Sequence, residues 1–165
     1  MATENNAAAR ICAGILGAAA CLFGVSTAQA DEGPGPARIG DTVYFALGGW
    51  NCSIGPNATV GCDLTVPAPS MNVQYAGMQV SVPNVPAIII DSPMVPAHPQ
   101  WNSNGSHTLP GGNPALPRIA SANHRAPQYS VTHAGATCEI TYQGVAVCTS
   151  MGHGFSQWGP VPHGY

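Results

Sequence analysis

Lysine is absent from this 165-residue chain, and charged residues of every kind make up only 7 % of it. The four arginines, Arg10, Arg38, Arg118 and Arg125, stand singly. With no basic stripe to neutralise phosphates, no nucleic-acid partner is expected. Catalytic spacings are lacking as well: there is no G-x-S-x-G elbow for a serine nucleophile, no H-E-x-x-H zinc helix, and no C-x-x-C redox or metal pair. Gly111-Gly112 is isolated in Pro-rich surroundings, which argues against a phosphate-binding loop. These absences set the expectation of a protein without cofactor that is more readily non-enzymatic than catalytic. Helical periodicity is missing beyond residue 30, and the apolar run Ile11–Val25 is short and Gly/Ala-rich. No transmembrane helix is therefore expected in the mature chain.

Residues 1–30 read as an export signal, with a polar start ending at Arg10, the apolar run, and a small-residue cleavage site at Ala28-Gln29-Ala30. The expected mature chain is one secreted β domain, 31–165. Its acidic residues Asp31, Glu32, Asp41, Asp63, Asp91 and Glu139 outnumber Arg38, Arg118 and Arg125. Cys12 and Cys21 leave with the signal, although Ala18-Ala19-Ala20-Cys21 keeps acylation at Cys21 open as an alternative. Four cysteines remain.

Those four lie in a repeated pattern, G-x-x-C-x-I-x7-C, once as Gly49 to Cys62 and again as Gly135 to Cys148. If Cys138 faces Cys148 across an antiparallel pair, the chain folds about Gln143 and leaves Tyr142-Gln143-Gly144 as a three-residue loop. Gly144 then occupies the left-handed position that such loops end on. Alternation puts Cys138, Ile140, Ala146 and Cys148 on one face and Glu139, Thr141, Val145 and Val147 on the other. The upstream copy centres on Asn57, with Pro56 and Asn57 as turn residues. Opposed strand positions suit disulfides, so the expected bridges are Cys52–Cys62 and Cys138–Cys148, in an oxidising compartment.

Further strands are expected at Arg38–Leu47, from Cys62 through Leu64 and Val66 until Pro67 and Pro69 end the run, over Met71–Val82, and in the apolar run Val85–Ile90. From Ser92 to Gln128 prolines and glycines interrupt everything, and a loop of this length is commonly functional. The fold class expected is mainly β: an irregular β-sandwich or small open barrel with two disulfide-stapled hairpins and a long Pro/Gly-rich loop at 92–128. Partner contacts are expected in that loop, at Trp101, His98 and His107. Because all six histidines fall in the second half of the mature chain, His124, His133 and His153 are candidate metal ligands, although their spacing matches no ligand signature. Gly152-His153-Gly154-Phe155 fits a terminal strand bent closely against the core, with Phe155 buried.

The signal, the lysine-free composition and the tail Cys138-x9-Cys148-x-Ser150-x-Gly152-His153-Gly154-Phe155 resemble small exported proteins of high-GC, mycolic-acid-bearing actinobacteria. The resemblance implies a location in the bacterial envelope or the culture medium and carries no activity with it. The functional expectation is a secreted, non-enzymatic cell-envelope or extracellular protein of structural or partner-binding type. Its rivals are an extracytoplasmic metal-binding protein using the histidines and an oligomeric envelope channel to which each chain contributes a hairpin.

Overall fold

The computed structural model describes residues 35–117 and 128–165. The expected signal, the candidate lipidation site Cys21, Arg118, Arg125 and the candidate ligand His124 lie outside the described residues.

Within them the chain is all strand and no helix: β1 (Ala37–Ile39), β2 (Thr42–Leu47), β3 (Trp50–Ile54), β4 (Val60–Tyr75), β5 (Met78–Ile90), β6 (His98–Pro99), β7 (Tyr129–His133), β8 (Ala136–Ile140), β9 (Ala146–Ser150), β10 (His153–Trp158) and β11 (Val161–Gly164). They form one sheet in the order β1-β2-β3-β4-β11-β10-β9-β8-β7, with β5 along the other side of β4 and β6 on β5. The sheet curls into an open half-barrel, the second of the two expected architectures.

β4 is the spine. Its first residues pair with β3, from Ile54↔Val60 to Asn51↔Asp63, and its last pair in parallel with β11 at Asn72↔His163 and Val73↔Gly164. Pro67 and Pro69 therefore do not end the strand, contrary to the expectation from sequence. They sit in the interval where β4 has left β3 and not yet met β11; Pro67 also falls within the register shift against β5 between Asp63 and Ala68, and Pro69 just after it. A residue without an N–H is harmless where a ladder has a gap. Two other expected strands are divided by turns. Arg38–Leu47 breaks at Gly40-Asp41 into β1 and β2, and Met71–Val82 breaks at Ala76-Gly77 into the ends of β4 and β5.

Both disulfides form as expected, Cys52–Cys62 and Cys138–Cys148, with Cα separations of 4.0 and 4.1 Å. The hairpins carrying them are copies at constant offset. Phe45, Cys52, Ile54 and Cys62 in the first correspond to Val131, Cys138, Ile140 and Cys148 in the second, with Phe45 paired to Cys52 and Val131 to Cys138. The loops match too. Gly144 N donates to Thr141 O and Thr141 N to Val145 O at 2.9 Å each, while Ala58 N donates to Gly55 O at 3.2 Å and Gly55 N to Thr59 O at 2.9 Å. Gly144 has φ +79° and its counterpart Ala58 has φ +60°. Alanine thus holds the left-handed position that glycine fills in the second copy.

The core lies in the hollow of the curl. Phe45, Leu47, Ile54, Val60, Met71, Ile88, Ile90 and Phe155 are fully buried there with both disulfides, and Trp50 packs on Phe155 with ring centroids 6.1 Å apart. Phe155 lies inward on β10 as its glycine-flanked motif suggested. Gly154 backs onto the Tyr165 ring and the Cys148 carbonyl, so a Cβ there would come within 2.9 Å of each.

Candidate functional site

β3 and the first five residues of β4, 60–64, are buried or half-buried on both faces. Cys52 and Cys62 face the core, so their neighbours Ser53, Gly61 and Asp63 project from the opposite side, where a polar, solvated surface would be ordinary. Here the chain from Gln100 to Leu116 crosses that side as a strap.

His107 is the strap's anchor. Its ring lies flat on the bare backbone of Gly61, where a Cβ would coincide with ring atoms Cε1, Nε2 and Nδ1. Ser53 Oγ is 2.8 Å from Nδ1, and Nε2 is 2.9 Å from Gln100 Oε1. Against a carbonyl oxygen Nε2 must donate, so Nδ1 accepts the Ser53 hydroxyl proton and the ring is the neutral Nε2–H tautomer. Asp63 Oδ2 accepts from His107 N at 2.9 Å and from Thr108 Oγ1 at 2.8 Å. Its Oδ1 is buried with no hydrogen-bond partner among the described residues. Burial pushes the imidazole below the ordinary histidine range, against a smaller upward pull from the Asp63 carboxylate.

Asn113 fastens the far end. Its Nδ2 donates to Cys52 O at 2.9 Å and to His107 O at 2.8 Å, its backbone N donates to Asn51 Oδ1 at 2.9 Å, and its Oδ1 accepts from Leu109 N at 2.8 Å. Ala46 N then donates to Pro114 O at 2.7 Å, beside a parallel bridge between Ala46 and Ala115. The serine and histidine are within hydrogen-bonding reach, yet only 6 % and 8 % of their surfaces are exposed. The ring lies on the glycine backbone and both side chains are bonded to each other, so the pair is turned into the protein rather than toward solvent. The arrangement is a latch, and His107, expected as a surface contact, is interior.

The accessible chemistry lies at the other end of the β4–β5 hairpin. Six-residue arms, Ser70–Tyr75 and Met78–Pro83, pair with each other beyond the strap. On one face stand Met71, Val73, Tyr75, Met78, Val80 and Val82, and on the other Ser70, Asn72, Gln74, Gln79 and Ser81. Tyr75, Met78 and Val80 are exposed. No charged residue occurs between Asp63 and Asp91. β6 pairs with β5 only at Ile88 and Ile89, so from Met78 to Pro83 the outer edge of β5 has no strand partner among the described residues. Natural sheets blunt such edges with lysine, inward charge or proline. Of these devices only Pro83, at the edge's end, is present.

Trp101 flanks this edge. Its indole N–H donates to Asn84 O at 3.1 Å while the ring remains 56 % exposed, so the aromatic is held in place and presented to solvent. Asn84, with φ +55°, marks the kink where the open edge stops.

The other histidines are dispersed. His98 Nδ1 is 3.0 Å from Pro96 O, and its Nε2 is 4.0 Å from Asp91 Oδ1. His133 Nε2 is 2.7 Å from Asp41 O, and His153 Nε2 is 3.1 Å from Pro93 O. Among the described residues no three His, Cys, Asp or Glu side chains converge as a metal site. Sequence reasoning missed Ser53 and Asn113, which bond to segments remote in the chain, and Gln100, seven residues from its partner His107, as well as Met78 and Val80. The charge-free interval around the last two was a signal available in the sequence. No helix among the described residues is long and apolar enough to cross a membrane, and the two disulfides are typical of extracellular proteins.

The chain matches no family model, and neither the curated proteins nor the solved structures contain a significant match to it.

Proposed function

We propose that this chain is a secreted, non-enzymatic domain of the cell envelope or extracellular space that docks a partner on the outer edge of β5. The observation that carries the reading is the charge-free edge Met78–Pro83, unpaired among the described residues, with Tyr75, Met78 and Val80 exposed beside it and Trp101 fixed at its end. Strand addition to such an edge draws affinity from main-chain hydrogen bonds and specificity from alternate side chains. A rigid exposed tryptophan is a common anchor in interfaces of this kind. Export is supported by the Met1–Ala30 pattern and by the paired cysteines.

The same hairpin bears on the channel alternative. Arms of six residues reach roughly 20 Å at about 3.4 Å per residue, short of a hydrocarbon core about 30 Å thick. Lengthening them would require pulling buried Val85–Ile90 out of the core. The metal alternative has to contend with His133 and His153, whose Nε2 atoms are both engaged with main-chain carbonyls.

The test is a photo-crosslinking amino acid placed at Met78 or Val80 in the oxidised protein of a producing cell, with Tyr142, exposed at the far hairpin, as control. The expected result is a discrete adduct from the two β5 positions and none from Tyr142. No adduct from either β5 position, or turnover of an envelope ester, glycan or peptide that depends on Ser53 and His107, refutes the proposal.

A further inference from the structure

We infer that the strand received by β5 is β5 of a second copy of this chain, paired antiparallel about a two-fold axis at Val80. This rests on the docking reading above and names its occupant.

The edge is bounded at both ends. The Ala76-Gly77 turn, with φ +50° and +80°, closes one end, and Asn84, with φ +55° and its carbonyl taken by Trp101, closes the other. What lies between is alternating and symmetric in polarity: Met78, Gln79, Val80, Ser81, Val82. Turned about Val80, Met78 faces Val82 of the second copy, Gln79 faces Ser81, and Val80 faces Val80. Apolar residues then meet apolar ones on one face, and hydrogen-bonding side chains meet on the other. Cross-strand neighbours of these kinds stabilise a ladder. Pro83, which lacks an N–H, falls opposite Gly77, one position outside that ladder, so its missing donor costs nothing.

Charge favours the same occupant. Two copies of a strand bearing charge would repel across a two-fold, where each charge meets its own image. The interval from Leu64 to Ile90 carries none. The other terminal strands suit the role less well. β1 is three residues long and carries Arg38, and His133 of β7 is engaged with Asp41 O.

The geometry also closes. An isologous contact consumes the same edge on both partners and leaves nothing to propagate, so a dimer results rather than a fibre. The joined sheets would place Tyr75, Met78 and Val80 of both chains on one continuous apolar face, and both Trp101 rings would flank the junction.

The measurement is sedimentation equilibrium of the purified, oxidised protein up to millimolar concentration, for wild type, Val80→Lys, Val80→Glu and an equimolar mixture of the two variants. Wild type is expected to dimerise. Each variant alone sets like charges face to face, which costs several kcal/mol, and should weaken dimerisation at least about a hundredfold. The mixture should restore it, because Lys then faces Glu. Unchanged circular dichroism and intact disulfides establish that the variants fold. A monomeric wild type, or Val80→Lys that dimerises as well as wild type, overturns the inference. The crosslinking test separates this failure from that of the docking reading: an adduct of twice the chain mass supports self-pairing, whereas an adduct of any other mass leaves docking standing and removes the second copy as occupant.

Discussion

Replacing Gly61 by alanine sets two effects of opposite sign against each other. Gly61 lies in β4 without a left-handed φ, so backbone entropy alone favours the substitution by about 0.5 to 1 kcal/mol. Packing opposes it, because the new Cβ would stand where the His107 ring lies. The ring has to tilt away, breaking the bonds to Ser53 and Gln100 at about 1 kcal/mol each and leaving the buried Ser53 hydroxyl unpaired at a further ~1 to 3 kcal/mol. The net expectation is a loss of about 2 to 4 kcal/mol, seen as a lower urea midpoint at unchanged slope. His107→Ala supplies the control, since it removes the obstacle. Gly61→Ala added to His107→Ala should cost nothing further or stabilise slightly, and the double-mutant cycle should show strong coupling. If Gly61→Ala is neutral in the wild-type background, or costs the same with and without His107, the stacked latch is wrong.

The latch also implies a pH dependence. In the unfolded chain the imidazole protonates near pH 6.5, but burial lowers that value in the fold. Between the two values the unfolded state binds more protons, so the latch's contribution is complete above about pH 6.5 and is lost as pH falls below it; His107→Gln should flatten this slope in urea titrations at stepped pH. In the hairpin loops, Ala58→Gly should stabilise by about 0.5 to 1 kcal/mol and Gly144→Ala should destabilise by about 1 kcal/mol. Equilibrium unfolding of both variants checks this, and equal signs would contradict the shared loop geometry. Replacing either disulfide by an alanine pair should lower stability by about 3 kcal/mol in the chain-entropy account, read from the same unfolding curves.

How much of this could be read from the chain alone follows from how local each feature is. The Cys138–Cys148 register was legible because two constraints, cysteine spacing and Gly144 at the left-handed position, agree within eleven residues. The buried half of β5 was legible from the run Val85–Ile90. The turns at Ala76-Gly77, Ala134-Gly135 and Met151-Gly152 were hidden, because their first positions carry side chains that local preference keeps from positive φ; the surrounding ladders impose that conformation. Pro67 and Pro69 misled for a related reason. A proline reports that its own N–H is missing, whereas the sheet asks only whether a neighbour needs it, and here none does. His107 read as a loop residue because the glycine that receives its ring lies in another strand. The open edge of β5 was visible only as an absence of charge, and its meaning depended on knowing that β6 stops at Ile88 and Ile89.

The two disulfides have a consequence for the order of events in folding. Each of the four bridged cysteines has its partner ten residues away and its wrong partners among the four in the other hairpin, so loop-closure entropy favours the native pairings from the unfolded chain onward. In an oxidising medium each hairpin can be bridged before the full sheet is assembled. The step expected to be slow is the parallel pairing of β11 with β4, between segments far apart in the chain. Oxidative folding should therefore proceed without disulfide reshuffling, with both bridges set early and closure of the half-barrel limiting the rate.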